Sequence, residues 1–164
     1  MIGAQEALTT REKITSNIEK YRGSKFKIGL CHGCFDFIHF GHILHFMEAK
    51  SKCDFLIASI TTDKFVNKGP GRPIFPIDRR LLVISQIRSV NAAYESLSTT
   101  AIDELDFWRP DYYFKGGDYA NNKIYNPAFN YEKEYAETLG TKVYLTSGDR
   151  SSSTYLVNRL KEVL

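Results

Sequence analysis

The four histidines of this chain lie close together in the sequence. They are His32, His39, His42 and His45, and they fall within fourteen of the chain's 164 residues. Imidazole rings donate hydrogen bonds, bind metals and exchange protons near neutral pH, so such a cluster predicts a site of chemistry. The residues around the histidines indicate which chemistry that is.

Two of these histidines and a glycine turn stand where a helix is predicted to begin. The string runs Gly-Cys-Phe-Asp-Phe-Ile-His-Phe-Gly-His from Gly33 to His42. His39 and His42 are three residues apart, so on a helix their rings project to the same side. Free backbone N–H groups and the positive end of the helix dipole favour an anion at that point. The string therefore predicts a phosphate site where two imidazoles stabilise developing negative charge.

The same stretch has the spacing of a metal or redox site. Cys31 and Cys34 form a C-x-x-C pair among the histidines, so a zinc site or a dithiol is the competing interpretation. Zinc pairs usually need a second pair of ligands, and redox cysteines open a helix directly, whereas several residues separate Cys34 from the predicted helix. We therefore favour the phosphate site and predict no metal ligand from the protein.

Alternating strands and helices are expected to position this string. The predicted strands cover residues 26–31, 54–60, 92–96, 111–115 and 142–145. The predicted helices cover residues 10–21, 41–51, 78–88, 102–107, 132–139 and 152–164, with a Gly/Pro loop at 67–76 and a long loop at 119–131. Such alternation predicts a Rossmann-like three-layer α/β/α sandwich with a five-stranded parallel sheet, whose ligands bind at the carboxyl ends of the strands.

Composition argues against several other classes of protein. Lysine and arginine total 22 against 19 aspartates and glutamates, and the basic residues are spread along the chain, whereas a nucleic-acid binder needs a contiguous basic face. The apolar runs are far shorter than the roughly 20 residues that cross a bilayer, and the first residues are polar and charged. With three cysteines, an odd number, we expect a reducing, cytoplasmic location and no membrane association.

The string from Gly33 to His42 resembles the signature of the cytidylyltransferase-like nucleotidyltransferases, relatives of the HIGH-motif aminoacyl-tRNA synthetases. Further segments resemble the adenylyltransferase domain of bacterial ADP-heptose synthases, namely residues 68–74, 78–80, 109–111 with 115–119, and 152–154. The resemblance covers nearly the whole chain. It implies a nucleotidyltransferase domain of this superfamily at residues 25–164, preceded by a helix and linker at residues 1–24.

The resemblance implies a role for each matching residue. His39 and His42 would stabilise the transition state at the α-phosphate, while Lys68 would neutralise phosphate charge on the acceptor and Arg80 would supply a second cation. The implied nucleotide-binding residues are Gly33, Cys34, Phe35, Asp36, Gly41, Lys115, Gly116, Gly117, Asp118, Ser152, Ser153 and Thr154. Of these, Asp118 would form a hydrogen bond with the ribose, and Ser153 and Thr154 would hold the β- and γ-phosphates of a triphosphate that carries Mg²⁺.

The function implied is transfer of a nucleoside monophosphate from ATP to a heptose-type sugar 1-phosphate, with release of pyrophosphate. CTP with glycerol phosphate or another polyol phosphate is the alternative, and a non-catalytic nucleotide- or zinc-binding module is a third. A homodimer is also implied by the resemblance. One departure concerns Arg150, because glycerol-3-phosphate cytidylyltransferases carry Arg-Thr-Glu-Gly-Ile-Ser-Thr before the last helix and this chain has Arg-Ser-Ser-Ser-Thr there.

Overall fold

A five-stranded parallel sheet organises the part of the chain that the structure describes. The structure is a computed structural model, and it describes residues 9–19, 25–117, 127–147, 159–160 and 162. The strands are β1 (Ile28–Gly33), β2 (Phe55–Thr61), β3 (Ala92–Ser96), β4 (Tyr112–Lys115) and β5 (Lys142–Leu145). The helices are α1 (Arg11–Glu19), α2 (Phe40–Lys50), α3 (Ile77–Ser85), α4 (Ile102–Trp108) and α5 (Pro127–Thr138). A short 3₁₀ helix follows β2 at Asp63–Phe65.

The strand order places a crevice beside the end of the first strand. The sheet runs β3-β2-β1-β4-β5, and every described pair of neighbouring strands is parallel. The chain moves outward in one direction from β1 to β3 and then returns to the other side of β1. At this reversal the connections after β1 and β4 leave the sheet on opposite faces, and ligands of such sheets bind in the gap between them.

Helices cover both faces of the sheet, which confirms the predicted three-layer architecture. Alternate strand residues point to opposite faces, so Leu30 and Ile57 pack in one apolar cluster while Cys31 and Ala58 pack in the other. Residues of α1, α4 and α5 complete the first cluster, and residues of α2 and α3 complete the second. With both faces covered, the strands are apolar almost throughout, as expected for a parallel sheet.

The first helix shares the core of the sheet. Ile14 and Ile18 are fully buried in the same cluster as Leu30. The guanidinium of Arg11 lies 2.6 Å from the buried carboxylate of Glu104 on α4. The backbone N–H of Thr9 also donates to the carbonyl of Ala93 at 3.2 Å. This helix is therefore packed against the sheet by apolar, ionic and backbone contacts.

Several predicted boundaries were wrong by two or more residues. The strand predicted at 26–31 lies at Ile28–Gly33, and the helix predicted at 78–88 ends at Ser85, where tighter backbone turns carry the chain toward β3. The largest error concerns α5, which begins at Pro127, within the loop predicted at 119–131. Proline fits the first turn of a helix because its φ is already helical and it has no N–H to satisfy. The exposed Tyr131 beside the buried Phe129 obscured the helical period.

Within the described residues, none of the helices combines the length and the apolar character needed to cross a lipid bilayer.

Candidate active site

The loop between β1 and α2 has an unusual backbone. Phe35 and Phe37 have φ values of 48° and 55°, in the left-handed region that bulky residues rarely adopt. The Phe35 ring is buried against Phe46 of α2, with the ring centroids 5.1 Å apart, and the Phe37 ring stacks on Phe75 at 6.3 Å. Strained backbone of this kind persists where packing enforces it, and it is concentrated at functional sites.

His39 and His42 cap the first turn of α2 reciprocally. The backbone N–H of Gly41 donates to Nδ1 of His39 at 3.1 Å, and the backbone N–H of His39 donates to Nδ1 of His42 at 3.3 Å. An Nδ1 atom that accepts a hydrogen bond carries no proton, so in each neutral ring the proton is on Nε2. The ring centroids are 4.0 Å apart. The sequence thus builds two adjacent N–H donors into the start of one helix.

The His42 ring is neutral at physiological pH. Burial lowers its pKa to about 3; repulsion from Lys68, and from His39 and His45 when those rings are protonated, adds to the effect, while Asp36 opposes it. A neutral ring with its proton on Nε2 can donate that N–H to a phosphate oxygen. An anion placed beside it would raise the pKa of His42, because the negative charge favours the imidazolium.

Asp36 joins this loop to the Gly/Pro loop. Its fully buried carboxylate accepts hydrogen bonds from Arg72 Nε at 2.7 Å, from the Ile74 N–H at 2.8 Å and from the Phe75 N–H at 3.1 Å. Burial by itself would raise the pKa of Asp36, but these donors outweigh it and lower the pKa. The resemblance implied that Asp36 contacts the nucleotide, and the contacts seen here bind two loops of the protein together.

Arg80 is buried and faces acceptors of the protein. The residue is 2% exposed. Its guanidinium donates to the carbonyls of Phe75, Cys34 and Thr61 at 2.6–2.9 Å. It also pairs with Asp63 at 2.6 Å. The predicted role was a second cation at the phosphates, whereas the contacts of Arg80 in the structure fix the backbone on both sides of the site.

Lys68 is exposed on the Gly/Pro loop within electrostatic reach of the histidines. Its charge lowers the pKa of His42 and opposes the rise in the pKa of the Cys34 thiol that burial causes. Gly69 and Gly71, which follow it, have φ values of 89° and 73°, which glycine adopts without strain. The structure therefore brings the charge of Lys68 within electrostatic range of His42 and Cys34.

The end of β4 contributes a buried ion pair. Lys115 Nζ lies 3.0 Å from Glu132 Oε2 on α5 and 3.4 Å from the carbonyl of His32 at the end of β1. The Glu132 carboxylate also accepts from the Tyr113 hydroxyl at 2.7 Å and from the Ala101 N–H at 2.9 Å. Lys115 thus links the two strands that flank the crevice. Gly116 follows it, and a methyl group added there would contact no heavy atom within 4 Å.

The two remaining histidines are internal to the fold. His32 is buried with Nδ1 2.9 Å from the Ser59 hydroxyl, and His45 is buried with Nδ1 2.8 Å from the Thr146 hydroxyl at the end of β5. Burial lowers the pKa of His32 to about 3 and that of His45 to about 4. Both rings are neutral and join neighbouring elements around the site.

Sequence reasoning missed two residues near the candidate site, Arg72 and Glu132. The sequence assigns no role to Arg72 within the Gly/Pro loop at 67–76, and none to Glu132 at the start of the helix predicted at 132–139. A charge next to prolines or inside a helix gives no sign of burial in the sequence. Arg72 contacts Asp36, 36 positions away in the sequence, and Glu132 contacts Lys115, 17 positions away. Only the folded structure shows these contacts.

The cysteines are all free thiols. Cys31 and Cys53 are buried and Cys34 is partly buried. Burial raises the pKa of each thiol, which disfavours the thiolate that binds zinc or reacts. Among the residues that the structure describes, no group of three or more His, Cys, Asp or Glu side chains could hold a metal ion.

Some predicted residues lie outside the described part of the chain. These are Asp118, Ser152, Ser153 and Thr154, together with Arg150. The range of described residues that contains β5 ends at Ser147. The N–H and the hydroxyl of Ser147 both donate to the carboxylate of Glu48 on α2, at 2.8 and 2.9 Å. These bonds place the exit from β5 beside the histidine-bearing helix.

Comparisons with known proteins agree with this geometry. A family model described as Cytidylyltransferase-like matches residues 30–162. The chain is 31% identical over 162 residues to Bifunctional protein HldE of Pseudomonas putida (strain GB-1), covering 98% of this chain and 33% of that protein. It is 29% identical to Bifunctional protein HldE of Pseudomonas syringae pv. tomato, covering 97% and 33%. The chain thus spans about a third of the length of the curated relatives it matches.

Two solved structures share the fold. The lipopolysaccharide core biosynthesis protein from Thermoplasma volcanium GSS1 superposes with a TM-score of 0.60 at 22% identity, covering 77% of this chain and 99% of that one. Pantoate-beta-alanine ligase from Francisella tularensis superposes with a TM-score of 0.59 at 16% identity, covering 89% and 68%. The histidine pair on its helix, the parallel sheet and the family match over residues 30–162 lead to one conclusion: the chain belongs to the cytidylyltransferase-like family of nucleotidyltransferases.

Proposed function

We propose that this chain transfers a nucleoside monophosphate from ATP to a heptose-type sugar 1-phosphate, forming an ADP-sugar and releasing pyrophosphate. The observation that carries the proposal is the reciprocal cap of α2, in which both Nδ1 atoms accept backbone N–H groups and the proton of each neutral ring is therefore on Nε2. The resemblance of several segments to ADP-heptose synthases supports the choice of ATP and a sugar phosphate. Similarity to the two bifunctional HldE proteins agrees with it.

The reaction needs no nucleophile from the protein. A phosphate oxygen of the acceptor attacks the α-phosphorus of the triphosphate, a new P–O bond forms, and the bond between the α-phosphorus and the bridging oxygen breaks in line with it. Pyrophosphate leaves with the electron pair of that bond. The work of this chain is to align the two substrates and to stabilise charge on the α-phosphate oxygens.

The two histidines are suited to stabilising negative charge on the α-phosphate oxygens. His39 and His42 donate from Nε2 to oxygens of the α-phosphate, and the start of α2 adds the positive end of its dipole. Because the two rings are already oriented by backbone N–H groups, they need no reorganisation as charge develops. Lys68 approaches from the Gly/Pro loop and neutralises phosphate charge on the acceptor side.

Magnesium enters this proposal as the complex of the triphosphate. The carboxylate of Asp36, which acts on the pKa of His42, already accepts hydrogen bonds from Arg72, Ile74 and Phe75, so phosphate oxygens and water would supply the ligands of the ion. With the triphosphate bound, Mg²⁺ would supply positive charge against the leaving pyrophosphate.

The direct test is a pyrophosphate-release assay with Mg²⁺. Each of ATP, CTP, GTP and UTP is combined with a panel of sugar 1-phosphates and polyol phosphates. We expect release with ATP and a sugar 1-phosphate, dependent on both substrates, and a nucleotide sugar in the product mixture. Release with CTP and a polyol phosphate would replace the proposed substrates by the alternative pair. Folded protein that is silent with every pair would overturn the proposal in favour of a binding module.

A further inference from the structure

The guanidinium of Arg72 is nearly buried, yet one of its nitrogens has no acceptor in the described part of the chain. Its side chain is 10% exposed, and Nε donates to Asp36 at 2.7 Å. Among the residues that the structure describes, nothing accepts a hydrogen bond from the buried Nη2. A buried donor of a charged group without an acceptor is costly, and arginine presents its donors in a planar fork that fits phosphate oxygens. The guanidinium therefore has the properties of a group that binds one side of an anion.

The orientation of this guanidinium is set by the protein. The Asp36 carboxylate that binds Nε is itself held by the N–H groups of Ile74 and Phe75. The arginine is thus anchored to the loop between β1 and α2 as well as to its own loop. An anchored fork loses little conformational entropy when it binds an anion, which increases its affinity for one.

The surroundings of Arg72 are those of the candidate site. Asp36 and Lys68 both influence the pKa of His42. The loop that carries Lys68 and Arg72 follows β2, which lies on the opposite side of β1 from β4. A nucleotide in the crevice between β1 and β4 leaves the β2 side of the histidines for the second substrate. The unused donor therefore belongs to the acceptor side of the site.

We propose that Arg72 is a specificity-determining residue that binds the phosphate group of the acceptor, with Asp36 as the positioning residue that orients it. The identification of the anion as the acceptor's phosphate rests on the proposed function. The site would take small molecules that carry a terminal phosphate, and Lys68 supplies a second positive charge on the same loop.

The test is a ³¹P NMR titration of the full chain with inorganic phosphate. The α,β-methylene analogue of ATP or CTP is present at saturation, so that phosphate does not enter the triphosphate subsites. We expect Arg72→Gln, whose amide can still donate to Asp36, to weaken phosphate binding at least about tenfold and to leave affinity for the nucleotide analogue within about twofold. Arg72→Lys keeps the charge but loses the planar fork of donors. Its affinity for phosphate should lie between those of Arg72→Gln and the unmodified protein.

Arg79→Gln is the matched control. Arg79 is exposed and forms a 3.6 Å ion pair with its neighbour Asp78, so we expect phosphate binding equal to that of the unmodified protein. The inference is overturned if the unmodified protein does not bind phosphate, if Arg72→Gln binds it equally well, or if that variant loses nucleotide affinity to the same extent. Thermal unfolding of each variant shows that the fold is retained.

This outcome is separable from that of the proposed reaction. Where turnover is measurable, Arg72→Gln should raise KM for the acceptor and leave KM for the nucleotide unchanged. If none of the substrate pairs releases pyrophosphate, the proposed function fails. The phosphate titration still decides whether Arg72 belongs to an anion site.

Discussion

At the scale of single residues, the histidine pair performs two tasks with the two nitrogens of each ring. Nδ1 of His39 and of His42 caps the helix, and the proton is thereby placed on Nε2. The structural task and the proposed chemical task do not compete, because they use opposite edges of the ring. A substitution can therefore remove one task and keep the other.

Replacement of His42 separates these tasks. In His42→Asn the side-chain oxygen can still accept the His39 N–H, whereas His42→Ala loses both the cap and the donor. We expect both variants to lower kcat by about 100-fold or more, the usual effect of removing one donor to a transition-state oxyanion. Only His42→Ala should also lose about 1 kcal/mol of stability with its cap. Pyrophosphate release and urea unfolding measure the two effects.

A contrary result would be informative. If His42→Asn turned over substrate at the unmodified rate, the Nε2–H group of His42 would have no part in the reaction. The cap would then account fully for the presence of this histidine.

At the scale of elements, long-range polar contacts place the loops around the crevice. Arg80 ties α3 to the carbonyls at the ends of β1 and β2. Glu132 connects α5 with Lys115 at the end of β4 and with the start of α4. Helix α2 receives the exit from β5 through His45 and Glu48. The loops are thus held by buried polar groups rather than by apolar packing alone.

The Glu132–Lys115 pair gives a test at this scale. Glu132→Gln leaves the Lys115 ammonium nearly buried without its counter-charge, so we expect the free energy of unfolding to fall by about 3 kcal/mol. Glu137→Gln is the control on the same helix, because Glu137 forms a half-exposed pair with Lys133 at 3.9 Å. It should change stability by less than about 0.5 kcal/mol. Equal effects of the two substitutions in urea unfolding would show that the Glu132 pair contributes no more than a surface pair.

At the scale of the whole molecule, burial of neutral histidines couples stability to pH. The pKa of His32 and His42 lies at about 3 and that of His45 at about 4, against about 6.5 in an unfolded chain. Between pH 4 and 6.5 the unfolded state therefore binds protons that the folded state does not. Stability rises with pH in this window and is lost as the solution is acidified through it.

Unfolding in urea at pH 7, 6 and 5 measures this coupling. Each buried histidine contributes a slope of up to about 1.4 kcal/mol per pH unit. Glu104 acts in the opposite sense, because burial raises its pKa even though Arg11 opposes the rise. We expect His45→Gln, which can keep a hydrogen bond to Thr146, to reduce the histidine slope by roughly a third. A free energy of unfolding that does not change between pH 7 and 5 would contradict neutral burial of these rings.

The sequence by itself determined the position of the histidine string at the start of a helix, the alternation of strands and helices and the family of the chain. These properties depend on residues close together along the chain, where spacing and type carry the information. The tertiary structure decided which charges are buried and what they face. Arg80, predicted as a second cation of the site, donates to the carbonyls of Cys34 and Thr61, and Arg72 of the Gly/Pro loop lies nearly buried against Asp36.

The start of α5 and the partner of Lys115 were decided in the same way. Pro127 and Phe129 follow polar residues without a clear period, and packing against the sheet is what makes the segment helical. The contacts of Lys115 with Glu132 and of Arg72 with Asp36 join residues 17 and 36 positions apart. Local pattern does not encode such pairings, because they form only when parallel strands bring distant loops to one edge of the sheet.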